Sequence, residues 1–341
     1  MQDSLRDKLN GVGLVVIGRN EGERFRACLA SLPAGLPAVY VDSGSTDNSV
    51  ANAEAADVQV AHLSNEYGFT AARARNLGWR ALLQMFPNLH FIQFIDGDCS
   101  LDSIWLGEAL AAINQDDRLA VVFGRRRERY PERSFYNGQC DREWDVPIGE
   151  TLSCGGDAFM RVTALHQVRG YNDHLIAGEE PDLCLRMRSL GWRVRRIKPE
   201  MTKHDAAILT FGGWWKRAKR AGHAYAEHVF IHGCSSIPDW SRALASMLVW
   251  GFIFPGVLIF GMILGFVSTR LWFLLSLAVG MIYILQFSRL ARQSKALGLS
   301  TQVSRAEAFF LLVAKFAHCG GAVTFLFDSI RGKRPVLMEY K

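Results

Sequence analysis

The sequence predicts an α/β domain, with a mostly parallel sheet flanked by helices, followed by C-terminal interfacial and transmembrane helices. Three observations support this. Short β-rich runs alternate with helical stretches over the first 125 residues, the pattern of a parallel sheet covered on both faces. Three of the predicted strands end in polar clusters. No charged residue lies between Ala243 and Thr269, or between Leu271 and Ser288, and only Arg270 separates the two runs. About 20 apolar residues cross a bilayer, so each run reads as a span.

The first strand is GLVVIG (13–18), followed by helical RNEGERFRACLASL. AVYVD (38–42) is a second strand that runs into the turn SGSTDNS, and VQVAHL (58–63) is a third. TAARARNLGWRALLQMF (70–86) has a helical pattern, and FIQFI (91–95) is the fourth strand. In open α/β sheets ligands sit beyond the carboxyl ends of the strands. The clusters Arg19-Asn20-Glu21, Asp42-Ser43-Gly44-Ser45 and Asp96-Gly97-Asp98 fall there and are expected to converge on one crevice. Residues 126–205 are more irregular. RRRERYPERS reads as a solvated loop or a phosphate- or lipid-facing patch. GEEPDLCLRMRSLGW reads as a helix start with acids in its first turn, and WRVRRIK (192–198) as a last strand.

The composition narrows the function classes. The formal net charge is +6, but no basic, aromatic-interleaved stripe reads as a nucleic-acid module. Anionic headgroups and phosphorylated substrates fit that charge better. Seven cysteines are scattered without a C-x-x-C pair, which argues against a disulfide framework or zinc ribbon and fits a reducing compartment. MQDSLRDKLN is charged and reads as no secretory signal.

The tail divides in two. AILTFGGWWKRAKRAGHAYAEHVFIHG mixes aromatic and basic residues, as an amphipathic interface helix does. His228 and His232 in it read as helical surface. Beyond the two spans, the apolar segment 308–327 carries Lys315, His318 and Gly320-Gly321, with basic residues on both sides. Charge inside a span is costly, and the positive-inside rule puts both flanks in the cytoplasm. The expectation leans to a re-entrant hairpin bent at the two glycines rather than a third span. The divisions are 1–205, 206–242 and 243–341.

Asp96 and Asp98 carry the chemistry. Carboxylates this close repel unless a cation, a proton or backbone donors relieve them. A lone D-x-D after a strand is also common without chemistry. Apolar-run-D-x-D-x-S resembles the nucleophile loop of haloacid-dehalogenase-type phosphatases, but that loop opens the first strand of its domain. A dinucleotide fold fails because GVG at 11–13 precedes its strand and lacks a third glycine. The remaining reading is a hard cation, Mn2+ or Mg2+, held with a nucleotide diphosphate.

The succession VVIGRNEG, VDSGSTDNS, GFTAARARNLG, FIDGDCSLD, CGGDAFMR and GEEPDLCLRMR, over about residues 12–205, resembles the family-2 glycosyltransferases. The tail is similar to that of bacterial exopolysaccharide glycosyltransferases of the succinoglycan type. The resemblance implies a GT-A fold, one nucleotide-sugar-binding α/β domain. It implies nucleotide contacts from Arg19, Glu21, Asp42, Ser43, Arg73, Arg75, Asn76 and Asp96. Asp98 is implied as metal ligand, with Asp96 beside it and His204 as a further metal or diphosphate contact. Gly155, Gly156 and Asp157 are implied to line the donor sugar and acceptor.

Inverting transfer needs a carboxylate within hydrogen-bond reach of the acceptor hydroxyl. The family places Glu-Asp there, whereas this chain has Glu179-Glu180-Pro181-Asp182. Glu180 takes the base position, with Asp182 and Glu179 as alternatives. The expected function is therefore an inverting, metal-dependent hexosyltransferase on the cytoplasmic face of a bacterial inner membrane. It moves a sugar from a nucleotide sugar, UDP-sugar by the family's habit, to a lipid-linked acceptor in exopolysaccharide or glycolipid assembly. A processive synthase, a phosphatase and a non-catalytic nucleotide-sugar binder are the alternatives. Sugar, linkage and oligomeric state are left open.

Overall fold

A computed structural model describes residues 9–234 and 238–331. The chain forms two compact units that part between Leu209 and Thr210, somewhat later than the expected 205. The boundary follows from a helix cap: the Thr210 hydroxyl accepts from the Gly213 N–H at 3.2 Å and starts the next helix.

The first unit opens β1 (Val12–Gly18), α1 (Gly22–Ser31), β2 (Ala38–Asp42), α2 (Ser49–Ala55), β3 (Gln59–His62) and α3 (Ala71–Met85). These apolar runs become strands because β1, β2 and the strand Phe91–Asp96 are covered on both faces, and their residues are almost all buried. The chain continues through β4 (Phe91–Asp96), β5 (Cys99–Leu101), α4 (Trp105–Ile113), β6 (Leu119–Glu128) and α5 (Phe135–Glu143). It closes with β7 (Gly149–Glu150), β8 (Ala158–Arg161), α6 (Val162–Gln167), α7 (Glu179–Ser189) and β9 (Arg193–His204).

The nine strands form one sheet in the order β3-β2-β1-β4-β8-β6-β9-β5, with β7 on β9. The strands β3, β2, β1 and β4 are parallel. Strand β8 runs antiparallel to both β4 and β6, β9 is parallel to β6, and β5 folds back antiparallel on β9. The sheet is thus mixed rather than mostly parallel. The parallel half is the part whose strand–helix alternation was readable. The other half is joined through long excursions that reverse the chain.

Register and close packing position the strand ends. Gly18 pairs with Asp42, and Ile17 with Asp96, so the two aspartates flank the end of β1. Helix α3 lies tightly on this edge. A Cβ on Gly78 would stand 2.4 Å from a Val15 methyl carbon and 2.9 Å from one of Val41. Residue 75 is almost one turn earlier on the same helix face, so the close contact at Gly78 lowers it onto the ends of the strands.

The second unit is helical: α8 (Phe211–His232), α9 (Pro238–Leu248), a π-helical turn (Val249–Ile253), α10 (Phe254–Val267), α11 (Phe273–Ala296) and α12 (Thr301–Ile330). The π turn lies just before Pro255, whose missing N–H disturbs the regular ladder. Pro238–Val267, Arg270–Ala296 and Thr301–Ile330 are each long and apolar enough to cross a membrane. Their large side chains face outward; Phe266 is 78% and Leu271 73% exposed.

The bend expected at Gly320-Gly321 is not formed, because α12 runs through both residues as one helix. The glycines serve close approach instead. A Cβ on Gly321 would meet the Lys219 carbonyl oxygen at 1.9 Å, and one on Gly222 would meet the His318 backbone oxygen at 2.1 Å. Helices α8 and α12 therefore touch backbone to backbone, flanked by Trp214–Phe310, His223–Phe325 and Tyr225–His318 ring contacts. Helix α8 buries a face in this way, and His228 is buried with its ring 4.1 Å from that of Trp240, not on a helical surface.

This packing separates two adjacent glycines. Gly321→Ala is expected to destabilise the helical unit by about 1–3 kcal/mol through overpacking. Gly320→Ala meets nothing within 4 Å and should gain about 1 kcal/mol of helix propensity. Thermal unfolding in detergent reads the opposite signs.

Candidate active site

The turn after β4 is built against β1. The Gly97 N–H donates to the Ile17 carbonyl at 2.7 Å, and a Cβ at this position would lie 3.1 Å from the same oxygen. The glycine between the two aspartates lets the turn lie flat on the neighbouring strand.

The two aspartates then part. The Asp96 carboxylate receives the Arg75 guanidinium at 2.8 Å on one oxygen and that of Arg126 at 3.1 Å on the other. Asp98 is buried, and its oxygen lies 3.1 Å from His204 Nε2. Their repulsion is relieved by separate partners: two guanidiniums on one side, an imidazole on the other. His204 stands opposite Cys99 in the β5–β9 ladder, which fixes its place beside the turn. Burial, then the nearby Arg126 charge, lowers the His204 pKa. A neutral imidazole nitrogen beside a carboxylate oxygen is a donor pair suited to a divalent first-row cation. The other ring nitrogen, Nδ1, faces Glu128 at 3.9 Å, and such a carboxylate orients a ligating histidine.

Arg75 ties this edge to α7. Its guanidinium is 3% exposed and reaches Glu179 at 3.0 Å and Glu180 at 2.9 Å as well as Asp96. Its other face lies over the Tyr171 ring. Burial works against the arginine's charge, but the carboxylates of Glu180, Asp96 and Glu179 outweigh it and hold the group cationic. Glu180 feels the opposite balance. Burial, then the adjacent Glu179 charge, pushes its carboxyl up to about 7 against the pull of Arg75. The folded chain therefore keeps a proton there that the unfolded chain releases. That contribution to stability is full below the unfolded pKa and is lost as pH rises through about 7.

Gly178 adopts φ +81° just before α7, so the helix starts abruptly and presents both glutamates in its first turn. Pro181 is tolerated there because first-turn N–H groups have no helical acceptor.

Residues 14–167 match the family model described as Glycosyl transferase family 2. This segment is a glycosyltransferase family 2 domain. Among curated proteins, the chain is 29% identical over 212 residues to the pre-mycofactocin glycosyltransferase of Mycobacterium tuberculosis, covering 57% of this chain and 42% of that protein. The chain thus spans about two fifths of the length of the curated relatives it matches. Among solved structures, a mannosyltransferase from Pyrobaculum calidifontis in complex with GDP-Man and Mn2+ superimposes with a TM-score of 0.56. Its sequence identity is 16%, over 93% of this chain and 87% of that one, which establishes the GT-A fold. Glucosyl-3-phosphoglycerate synthase from Mycobacterium tuberculosis, in complex with phosphoglyceric acid, has a TM-score of 0.47 at 16% identity, over 67% and 83% of the two chains.

Within the glycosyltransferase domain, several predicted ligand residues are structural. Asn76 has no hydrogen-bonding capacity left for a nucleotide. Its amide nitrogen donates to the Tyr171 carbonyl and to Asp173, and its oxygen accepts from Tyr171 N–H and Trp79 Nε1. Asp157 is buried beneath the turn rather than lining a sugar. It accepts from Asp96 N–H at 2.9 Å and the Thr202 hydroxyl at 2.7 Å. Asp182 is buried in an ion pair with Arg186 at 2.6 Å, so it is not available as an alternative base. Asp96 is engaged by two guanidiniums, which suits neither a phosphatase nucleophile nor a direct metal ligand.

Other predicted residues do border the edge. Asp42 is buried and accepts from Gly44 and Ser45 N–H groups, with Ser43 also buried beside it. Arg19 is exposed with its guanidinium 5.2 Å from the Phe69 ring centre, and Glu21 pairs with Arg24 at 2.8 Å. Arg73 clamps the 64–68 loop by donating to the Ser64 and Gly68 carbonyls. A Cβ on Gly156 would stand 2.5 Å from the Arg75 guanidinium, whereas Gly155 has open space around it.

Arg126, Glu128 and Cys99 were not anticipated. RRRE is the end of β6, not a solvated loop, and the β6–β9 register shifts on either side of Arg125. Such bulges re-aim side chains: Arg125 turns to Asp141 and Asp145, and Arg126 to Asp96 and Asp157. An arginine run gives no sign of where a bulge will fall, so this role had no sequence signal.

Removing the buried guanidinium should expose this dependence. Arg75→Met leaves three carboxylates without their common partner and is expected to cost about 3–5 kcal/mol. The deficit against wild type should be larger at pH 8 than at pH 5.5, where protonation relieves the stranded acids. Thermal unfolding at the two pH values reads it.

Proposed function

We propose that this chain transfers a sugar, with inversion, from a nucleotide-sugar donor to a lipid-linked acceptor at a membrane surface. The observation that carries the reading is the network Asp96–Arg75–Glu180 in a family 2 domain, with the donor pair Asp98 and His204 on the same turn. Donor class and metal requirement take support from the GDP-Man and Mn2+ bound by the similar mannosyltransferase. A UDP-sugar remains the donor class that the family resemblance favours.

Asp98 and His204 would hold Mn2+ or Mg2+, which supplies electrostatic stabilisation to the departing diphosphate. Glu180 is the general base. Among the three acids of this segment its side chain is the most accessible, at 13%, against 6% for Glu179 and 1% for Asp182. Its carboxyl, poised at about 7, both takes a proton from an acceptor hydroxyl and releases it at neutral pH. Arg75 orients that carboxylate, and Arg126 holds Asp96 in place. Arg19, Asp42, Ser43 and Arg73 serve the nucleotide end, and Gly155 leaves room for the sugar, while Gly156 makes room for the Arg75 guanidinium and the Asp96 carboxylate.

The three long apolar helices supply the membrane argument. An enzyme confined to its acceptor's surface meets it at a raised effective concentration. The reading places the catalytic domain on the cytoplasmic face of a bacterial inner membrane, in exopolysaccharide or glycolipid assembly.

Transfer of label from a UDP- or GDP-sugar into the lipid fraction, with Mn2+ or Mg2+ present, tests this. Glu180→Gln should lower kcat by roughly 10²–10⁴-fold while donor binding survives. The acid limb of kcat/KM, rising with pH through about 7, should vanish in that variant. Asp98→Ala should lose metal-dependent donor binding. Wild-type turnover retained in Glu180→Gln, or in excess chelator, defeats the proposal.

A further inference from the structure

Cys99 lies between two groups of potential ligands. Its sulfur is within 4.8 Å of donor atoms of Asp98 and His204, and also of Asp96 and Asp157. It is the one side chain common to both groups. The residue is fully buried, 3.6 Å from Asp98 Oδ1 and 3.4 Å from the Arg126 guanidinium. Its position follows from the ladder: Cys99 is paired with His204, so both side chains project from the same face of the β5–β9 pair.

We propose that the Cys99 sulfur is a third protein donor to the cation held by Asp98 and His204, giving the site a mixed oxygen, nitrogen and sulfur set. This rests on the metal reading above. Donors bound to one cation at about 2.0–2.3 Å lie roughly 3–4 Å apart. His204 Nε2 lies 3.1 Å from Asp98 Oδ2, and the Cys99 sulfur 3.6 Å from Asp98 Oδ1, so both separations fall in that range with the two carboxylate oxygens facing different donors. On coordination the thiol proton leaves to solvent and the sulfur binds as thiolate, with the Arg126 guanidinium beside it as a fixed countercharge. Sulfur turns a site built for hard cations towards softer ones. Zn2+, Co2+ and Cd2+ gain over Mg2+, which takes oxygen ligands and keeps its waters.

The full chain in detergent, freed of metal and titrated with Co2+ alone and then with Co2+ plus UDP, decides the matter by absorption. Wild type is expected to show a sulfur-to-cobalt charge-transfer band in the near ultraviolet together with visible ligand-field bands. Cys99→Ser and Cys99→Ala should keep the ligand-field bands and lose the charge-transfer band. Their preference for Cd2+ over Mg2+, measured by competition, should fall at least about tenfold. Asp98→Ala should lose both sets of bands.

Ligand-field bands without charge transfer in wild type overturn the sulfur assignment while leaving the Asp98–His204 site standing. A charge-transfer band that survives in both Cys99 variants assigns the sulfur elsewhere and also overturns it. Absence of any bound Co2+ in wild type, with or without UDP, removes the metal reading itself. The wild-type spectrum is decisive even if a variant does not fold.

Discussion

One buried guanidinium holds the edge between β4 and α7 together. Arg75 is the only group that touches Asp96 at the end of β4 and both glutamates at the start of α7 among the contacts seen at this edge. A charge that deep is tolerated only because its desolvation is offset by several carboxylates at hydrogen-bond distance. Those carboxylates are tolerated only because of the arginine. The arrangement is reciprocal, and it spreads one positive charge over three acids. Burial, then the adjacent Glu179 charge, leaves Glu180 with an elevated pKa despite Arg75, while Asp96, supported by Arg126 as well, has a cation on each oxygen.

Backbone proximity makes the charges meet. Gly78 lets α3 descend onto Val15 and Val41, and Gly156 keeps clear the space that the Arg75 guanidinium and Asp96 carboxylate occupy. Gly97 lays the turn against Ile17. In the helical unit the same device recurs at Gly222 and Gly321. In each case a methyl group would push apart elements that otherwise touch at close range. The residues without side chains determine the reach of those with long ones.

The parallel half of the sheet and the turn carrying Asp96 and Asp98 were legible in the sequence. Their alternation of apolar runs and helices is local, and polar residues mark the strand ends. The place of His204 was legible for a related reason, at the end of a recognisable last strand. The antiparallel half was not, since β8 and β6 pair across long connections that leave no periodic trace. Asn76 shows a different failure. An amide on a helix beside the strand ends looks like a ligand group, and only the fold shows Tyr171, Asp173 and Trp79 consuming its four hydrogen-bonding positions. Arg126 depends on a bulge, a register event that composition does not encode. The glycine pair in α12 had the right importance and the wrong reason: close approach, not a hinge.

The Arg75–Glu179 contact joins residues 104 positions apart in the chain, and the pairing of β5 with β9 closes a loop of similar size. Contacts of such sequence separation carry a loop-closure entropy that other contacts of the folded unit must offset. During synthesis the parallel half of the sheet therefore emerges before the acids of α7 that Arg75 pairs with, and the edge closes only once α7 and β9 have docked. Closure of this edge thus requires nearly the full length of the first unit to have been made.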